Sequence, residues 1–196
     1  MSSREAILGA IRAHLPMLDL NIPLVPLFDE NSPHDLLVAF GKALERMGGE
    51  LLASDAADQL APARAMLEDA KVVCSRVPEI AGNKPVGRET KPADLADVDY
   101  GIVRAAFAVA ETGSVCLTEN ELGINTLGYL PQHLIVLLDP ADVVPNIHHA
   151  YRRPEFRNAR YAVFQTGPSA TADIEGVLIH GAQGVRSLSV LVIARA

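Results

Sequence analysis

The N-terminal part of the chain contains two segments in which apolar side chains recur every three or four positions, the spacing of an amphipathic helix. Ser2 and Glu5 form a capping-box pattern at the start of the first segment. The second segment stops at the helix-terminating pair Gly48–Gly49. Between the two, Pro16–Pro33 contains four prolines and is predicted to be an extended connection. The two apolar faces comprise Ile7, Leu8, Ile11 and Leu15, and Leu36, Leu37, Phe40, Leu44 and Met47.

From residue 49 onward the pattern changes to short apolar runs separated by helical segments. Several runs are apolar at consecutive positions, as in strands buried on both faces. This alternation predicts an α/β domain over residues 49–196 with a layered, mostly parallel open sheet. Residues 1–48 are predicted to form an N-terminal helical arm that either moves or packs on the core. The predicted strands are Leu51–Ala53, Lys71–Cys74, Val109–Ala110, Val115–Leu117, Leu134–Leu138, Tyr161–Gln165 and Leu188–Ile193. The predicted helices are Ala56–Asp69, Ala141–Tyr151 and Thr171–His180, and Val77–Pro92 is predicted to be a loop.

Composition and charge exclude several classes of function. The chain has 196 residues and a formal net charge of -7, which disfavours binding to nucleic acid phosphates. Aromatic residues make up only 5% and Trp is absent, so platforms for stacking bases are not indicated. No apolar stretch approaches the roughly 18 residues of a membrane span, and the N-terminus does not resemble a signal peptide. We therefore expect a cytoplasmic protein.

The two cysteines, Cys74 and Cys116, lie in apolar runs, and their spacing matches no iron–sulfur or zinc signature. We expect both to be reduced and packed like small apolar side chains. The adjacent pair His148-His149 would point about 100° apart on a helix, which is poor geometry for chelation. Neither a Rossmann fingerprint nor a Walker A motif follows a predicted strand. The sequence predicts no metal site and no cofactor on this chain.

The first candidate site begins where the predicted strand Tyr161–Gln165 runs through a Gly-Pro turn into a predicted helix. In open α/β sheets, such a corner is where ligands bind, and the free N–H groups of a helix start can hold an anion. Acidic residues lie in the first turn of that helix and would repel a phosphate, so the sequence indicates hydroxyl, amide or cationic ligands as much as an anion. The alternative is a capped helix without any ligand. The candidate ligand-binding residues here are Gly167, Pro168, Ser169, Thr171, Asp173 and Glu175. Asp173 is expected to cap the helix, and Glu175 to face either solvent or the cleft.

The second candidate segment, Glu111–Ser114, breaks two apolar runs. A turn with Gly113 at positive φ is the simplest interpretation. The functional alternative is that Glu111 is an exposed nucleophile or base beside a glycine that a ligand can approach closely, with Thr112 and Ser114 as further contacts. We expect this segment to face the same cavity as Gly167–Glu175.

The string from Thr166 to Glu175, followed by Gly181 and Gly184, resembles the LUD (lactate utilisation) domain of the LutC type. Ala110–Ser114 and Leu130–Leu134 also match this family in order and spacing, and the resemblance covers most of Tyr100–Ala196. Gly181 and Gly184 therefore join the ligand-binding candidates. The chain departs from the family pattern at Ala170, Gln183 and Val185, where the family commonly has Arg, His and Pro.

The resemblance implies a fold similar to that of ribose-5-phosphate isomerase and the CoA transferases (the NagB/RpiA type). It also implies a role in oxidising L-lactate to pyruvate beside iron–sulfur and cysteine-rich proteins of the LutA/LutB type. Because nothing in the sequence indicates a group that accepts the two electrons, the chain is expected to be a non-redox subunit that binds substrate or holds redox partners. The alternative is a stand-alone isomerase, CoA transferase or cyclo-ligase acting on a phosphorylated or acyl metabolite. A scaffold with a vestigial pocket is a third possibility.

Overall fold

A computed structural model describes residues 2–15, 23–53, 57–171, 179–180 and 184–195. The helices are α1 Ser3–Ala13, α2 Leu36–Arg46, α3 Ala61–Met66, α4 Glu119–Leu122, α5 Ile147–Ala150 and α6 Pro154–Arg157. The strands are β1 Glu50–Leu52, β2 Val73–Ser75, β3 Tyr100–Arg104, β4 Phe107–Val109, β5 Ser114–Thr118, β6 His133–Leu138, β7 Val143–Val144, β8 Ala162–Gln165, β9 Ala170–Thr171, β10 Ile179–His180 and β11 Ser187–Val192.

Five strands form a sheet in the order β1-β11-β6-β3-β2, and every neighbouring pair in it is parallel. The central strand β6 is buried along Leu134–Leu138, and the apolar core occupies both faces of the sheet. Consecutive apolar residues are what a strand covered on both faces requires. The predicted α/β architecture with a mostly parallel sheet is thereby confirmed, although β3 was not among the predicted strands.

A second sheet of four strands has the order β7-β4-β5-β8. In it β5 pairs antiparallel with both β4 and β8, whereas β4 and β7 are parallel. Three of the predicted strands thus lie outside the parallel sheet. The reason lies in the short turn at residues 110–113, because two strands joined by so short a connection can pair only antiparallel.

The predicted helices need correction. The helix predicted over Ala141–Tyr151 is wrong in its first half: Val143 and Val144 form β7, Pro145 follows, and α5 begins only at Ile147. The helix predicted over Ala56–Asp69 is shorter, since α3 spans Ala61–Met66.

The helix predicted over Thr171–His180 is wrong at both ends. There the antiparallel strands β9 and β10 pair Thr171 with Ile179. The middle of that segment, including Asp173 and Glu175, lies outside the described residues, as do Gly181 and Gln183.

The two N-terminal helices differ in burial. The capping box of α1 is present, but α1 buries no residue and leaves Ile7 60% and Ile11 54% exposed. In α2, Phe40 and Leu44 are fully buried in the core. Thus α2 packs on the core, and the boundary at residue 48 between an arm and an α/β domain stays a prediction.

The segment before α2 contacts α5 and Asn146 through Leu27, Phe28 and Asp29. The side-chain amide of Asn146 donates to the Leu27 carbonyl at 2.7 Å, and His149 Nε2 lies 2.6 Å from Asp29 Oδ1. The rings of Phe28 and His148 are 4.7 Å apart. The adjacent histidines therefore hold the connection and α5 together. Among the described residues, no helix has the length and apolar character needed to cross a membrane.

Candidate functional site

The antiparallel pairing of β5 and β8 brings the two sequence-predicted segments together. Val115 lies opposite Gln165, so the residues beyond them, Ser114 and Thr166, are neighbours. The buried Ser114 Oγ is 2.6 Å from Thr166 Oγ1 and 2.7 Å from Thr112 Oγ1. We call this chain of three hydroxyls, with the glycines beside it, the glycine-hydroxyl region.

This region lines two adjoining cavities rather than one. A cavity of about 500 Å³ lies between the end of α2 and the residues Glu111, Thr112, Ser114 and Thr166. A second, of about 440 Å³, is lined by residues that include Thr166–Ala170, Gly184 and Val185. The expectation that both segments face one cavity is therefore replaced by two cavities that share Thr166.

The two glycines of this region make room for α2. Gly113 has φ +69°, and a Cβ added there would lie 2.2 Å from the backbone nitrogen of Leu44. Gly167 has φ +110°, and a Cβ there would lie 2.5 Å from the carbonyl oxygen of Met47. The turn predicted at Gly113 is confirmed. The close neighbour that these glycines admit is the backbone at the end of α2.

Glu111 is exposed, and its carboxylate accepts a hydrogen bond from the Ile147 backbone N–H at 3.3 Å. That N–H belongs to the first residue of α5, where a carboxylate is favoured by the free N–H groups of a helix start. In the same turn Asn146 accepts from His148 and His149. The contact gives Glu111 a structural partner.

The corner from Gly167 to Thr171 ends in a strand at Ala170–Thr171. The Ser169 N–H donates to the Val185 carbonyl at 2.9 Å, and Thr171 belongs to β9. Gly184, at φ +114°, packs against the Ser169 side chain, with 3.2 Å between its ideal Cβ position and that of Ser169. The helix start expected to hold an anion at Thr171 is therefore absent from this position. Pro168 lines the second cavity together with Ala170, which is exposed, and Val185, which is buried.

A third cavity, of about 370 Å³, lies at the carboxyl end of the parallel sheet. Arg76, Pro78 and Glu79 follow β2, Arg104 and Ala105 end β3, and Arg195 follows β11. Glu121 of α4 completes the lining. In open α/β sheets, ligands bind at the carboxyl ends of the strands. We call this space the carboxyl-edge cavity.

Two of its three arginines are occupied by other groups of the protein. Arg104 forms an ion pair with Glu79 and donates to the Ile193 carbonyl at 3.1 Å. The Arg195 guanidinium donates to the carbonyls of Ala105 and Ala106 and lies 3.2 Å from Asp142 Oδ2.

Two groups of the carboxyl-edge cavity lack such partners. Arg76 is exposed and has no ion-pair partner in the described ranges; its guanidinium lies against Gly123 and donates one long hydrogen bond of 3.5 Å, to the Asn120 carbonyl. Glu79 Oε2 is buried and finds no hydrogen-bond partner in the part of the chain that the structure describes.

The sequence analysis does not predict this cavity, because its three arginines lie far apart in the chain. Their positions relative to the apolar runs nevertheless indicate it. Arg76 directly follows the run Val72–Ser75, Arg104 ends the run Gly101–Val103, and Arg195 closes the last apolar run. An arginine at the same end of several apolar runs places several cations at one sheet edge if the strands are parallel.

Both cysteines are free and buried. Burial raises the pKa of both thiols, that of Cys116 to about 12. Within the described ranges, no group of three or more His, Cys, Asp and Glu side chains is placed to hold a metal ion.

Comparison with known proteins agrees with the resemblance drawn from the sequence. The family model of the LUD domain matches residues 34–193. Lactate utilization protein C of Deinococcus radiodurans is 25% identical over 195 residues, which cover 96% of this chain and 91% of that protein. Proteins of the same name are 30% identical in Bacillus pumilus and 33% identical in Geobacillus thermodenitrificans. Those two matches cover 56% and 57% of this chain, and 49% and 48% of the respective relatives.

Among solved structures, the crystal structure of a DUF162 family protein from Deinococcus radiodurans has a similar fold, with a TM-score of 0.62 and 19% identity. The match covers 81% of this chain and 96% of that one. The fold, the matched range of the family model and the relatives lead to one conclusion: this chain belongs to the LUD domain family.

Proposed function

We propose that the chain is a non-redox subunit of a system that converts L-lactate to pyruvate, acting with iron–sulfur and cysteine-rich partner proteins. The observation that carries this proposal is the match, over 96% of the chain, to a relative named lactate utilization protein C. The cytoplasmic location expected from the sequence belongs to the same proposal.

The cysteines support a subunit without its own cluster. The chain has two cysteines in total, whereas an iron–sulfur cluster is commonly held by four thiolates. Both thiols are buried, and their raised pKa keeps them protonated at neutral pH, which disfavours metal binding. The two-electron acceptor that lactate oxidation needs would therefore reside on partner proteins.

The alternative of a stand-alone enzyme with Glu111 as nucleophile has less support. Glu111 is exposed, and its carboxylate accepts a hydrogen bond from the first residue of α5, so part of its capacity to accept hydrogen bonds serves the fold.

Deletion of the gene in the native host, combined with purification of the tagged chain from lactate-grown cells, tests the proposal. We expect growth on L-lactate to be lost and restored by the intact gene, with growth on another carbon source as control. Iron–sulfur proteins should co-purify and be identified by mass spectrometry. Unimpaired growth on lactate together with purification free of iron–sulfur proteins would contradict the proposal.

A further inference from the structure

We propose that the carboxyl-edge cavity binds a small monoanionic carboxylate that carries a hydroxyl group on the neighbouring carbon. The guanidinium of Arg76 would pair with the carboxylate, and Glu79 Oε2 would accept a hydrogen bond from the hydroxyl. The choice of this ligand class rests on the proposed function, whereas the location rests on the geometry alone.

The topology places the cavity where an open α/β sheet holds its ligands. Apart from Glu121 of α4, its lining comes from residues at or just after the carboxyl ends of β2, β3 and β11, three strands of one parallel sheet. Its volume of about 370 Å³ falls at the lower end of the ~300–1,000 Å³ typical of ligand pockets. That size suits a small acid better than a nucleotide or an acyl-CoA.

The ion pairs around the cavity single out one arginine. Arg104 pairs with Glu79, and Arg195 pairs with Asp142. Arg76 is therefore the cavity arginine that has no ion-pair partner in the described ranges, and it can pair with one negative charge of a ligand. A guanidinium binds a carboxylate through two parallel hydrogen bonds. A dianionic phosphate would be only half neutralised and would meet the two glutamates.

Glu79 supplies a specific acceptor. One of its oxygens is held by Arg104, while Oε2 is buried and has no partner among the described residues. A buried unpaired acceptor costs about 1–3 kcal/mol unless a water or ligand satisfies it. By contrast, Oε2 of Glu121 accepts from both the N–H and the hydroxyl of Thr118, at 2.9 and 2.6 Å. Glu79 is therefore the carboxylate of this cavity that has a buried oxygen without a partner among the described residues.

Isothermal titration calorimetry of the purified full chain at low ionic strength tests the inference. L-lactate is the probe, propionate lacks the hydroxyl, pyruvate carries an acceptor oxygen in its place, and inorganic phosphate tests the dianion. We expect L-lactate to bind, and propionate and pyruvate to bind about tenfold more weakly, because only the hydroxyl acid satisfies Glu79 Oε2. Phosphate should bind more weakly than L-lactate.

Two arginine variants locate the site. Arg76→Gln should weaken L-lactate binding about tenfold or more, the usual cost of losing a charge-assisted pair. Arg46→Gln removes an exposed arginine from the cavity beside α2 and should leave binding unchanged. Melting temperatures of both variants establish that they are folded.

Three results would overturn the inference: no heat with L-lactate, equal weakening by both variants, or phosphate binding more tightly than L-lactate. These outcomes separate from those of the proposed function, because binding is measured on the isolated chain. Retention of iron–sulfur partners without lactate binding would refute this cavity and leave the subunit role. Lactate binding to a chain that retains no iron–sulfur partner, and whose deletion causes no growth defect, would support this cavity and refute the subunit role.

Discussion

The glycine-hydroxyl region and the carboxyl-edge cavity contrast in how their polar groups are satisfied. In the first, Ser114 bonds to two hydroxyls, and Gly113 and Gly167 accommodate the end of α2. In the second, Arg76 has no ion-pair partner within the described part of the chain, and an oxygen of Glu79 is unpaired there too. Groups used by the protein itself stabilise the fold, whereas groups left without partners are available to a ligand.

The largest loss of stability expected from this contrast follows substitution of Gly113. Gly113→Ala combines a positive φ with a Cβ 2.2 Å from the Leu44 backbone, which cannot move without shifting α2. We expect the free energy of unfolding to fall by about 2–5 kcal/mol, measured by urea denaturation. Gly87→Ala is the control, because a Cβ there has no neighbour within 4 Å. Unchanged stability of Gly113→Ala would show that the glycine serves a purpose other than packing.

A smaller effect is expected at Ser114. Ser114→Ala removes the buried hydroxyl between Thr112 and Thr166 and leaves both of those hydroxyls without this partner. The loss should be about 1–2 kcal/mol in the free energy of unfolding. Lactate binding measured by calorimetry should not change. A variant of normal stability that no longer binds lactate would move the ligand site to the glycine-hydroxyl region.

The sequence predicts the architecture where a strand is apolar at consecutive positions, because such a run indicates burial on both faces. Runs such as Leu134–Leu138 are apolar at every position, and the structure buries them on both faces. The split into two sheets was not predictable from such runs, since β5 also contains an uninterrupted apolar run, Val115–Leu117, and is as buried as β6. What decides it is the short turn through Gly113, a feature of connection length rather than of hydrophobicity.

The candidate site was harder to predict. Close approach of a ligand is the functional interpretation of Gly113, but the sequence does not say whether a ligand or a helix approaches. A lone arginine after a strand, such as Arg76, gains meaning only when parallel pairing brings Arg104 and Arg195 to the same edge. The strand order that unites them is a long-range property.

Thiol labelling compares how readily the two regions open. Cys74 lies two residues before Arg76 on β2, an edge strand, and Cys116 lies two residues after Ser114 on β5, an interior strand of its sheet. Because edge strands open more easily, a thiol reagent at pH 8 should label Cys74 about tenfold faster than Cys116. Cys116→Ala and Cys74→Ala report each thiol alone, with unfolded protein as the control for intrinsic reactivity. Faster labelling of Cys116 would show that the glycine-hydroxyl region is the more mobile one.

The smallest effect on stability is expected at Arg76. Its side chain is exposed, has no ion-pair partner in the described ranges and donates one long hydrogen bond of 3.5 Å, so Arg76→Gln should change the free energy of unfolding by no more than about 0.5 kcal/mol. Arg104→Gln is the matched comparison, because it leaves Glu79 without its ion-pair partner and removes the bond to the Ile193 carbonyl. That variant should be clearly less stable, since an uncompensated, partly buried carboxylate remains. Urea denaturation of both variants, with and without L-lactate, separates the roles: added lactate should stabilise the wild-type chain and should not stabilise Arg76→Gln. Equal losses in the two variants would mean that Arg76 supports the fold as Arg104 does, and that the contrast between the two regions does not hold.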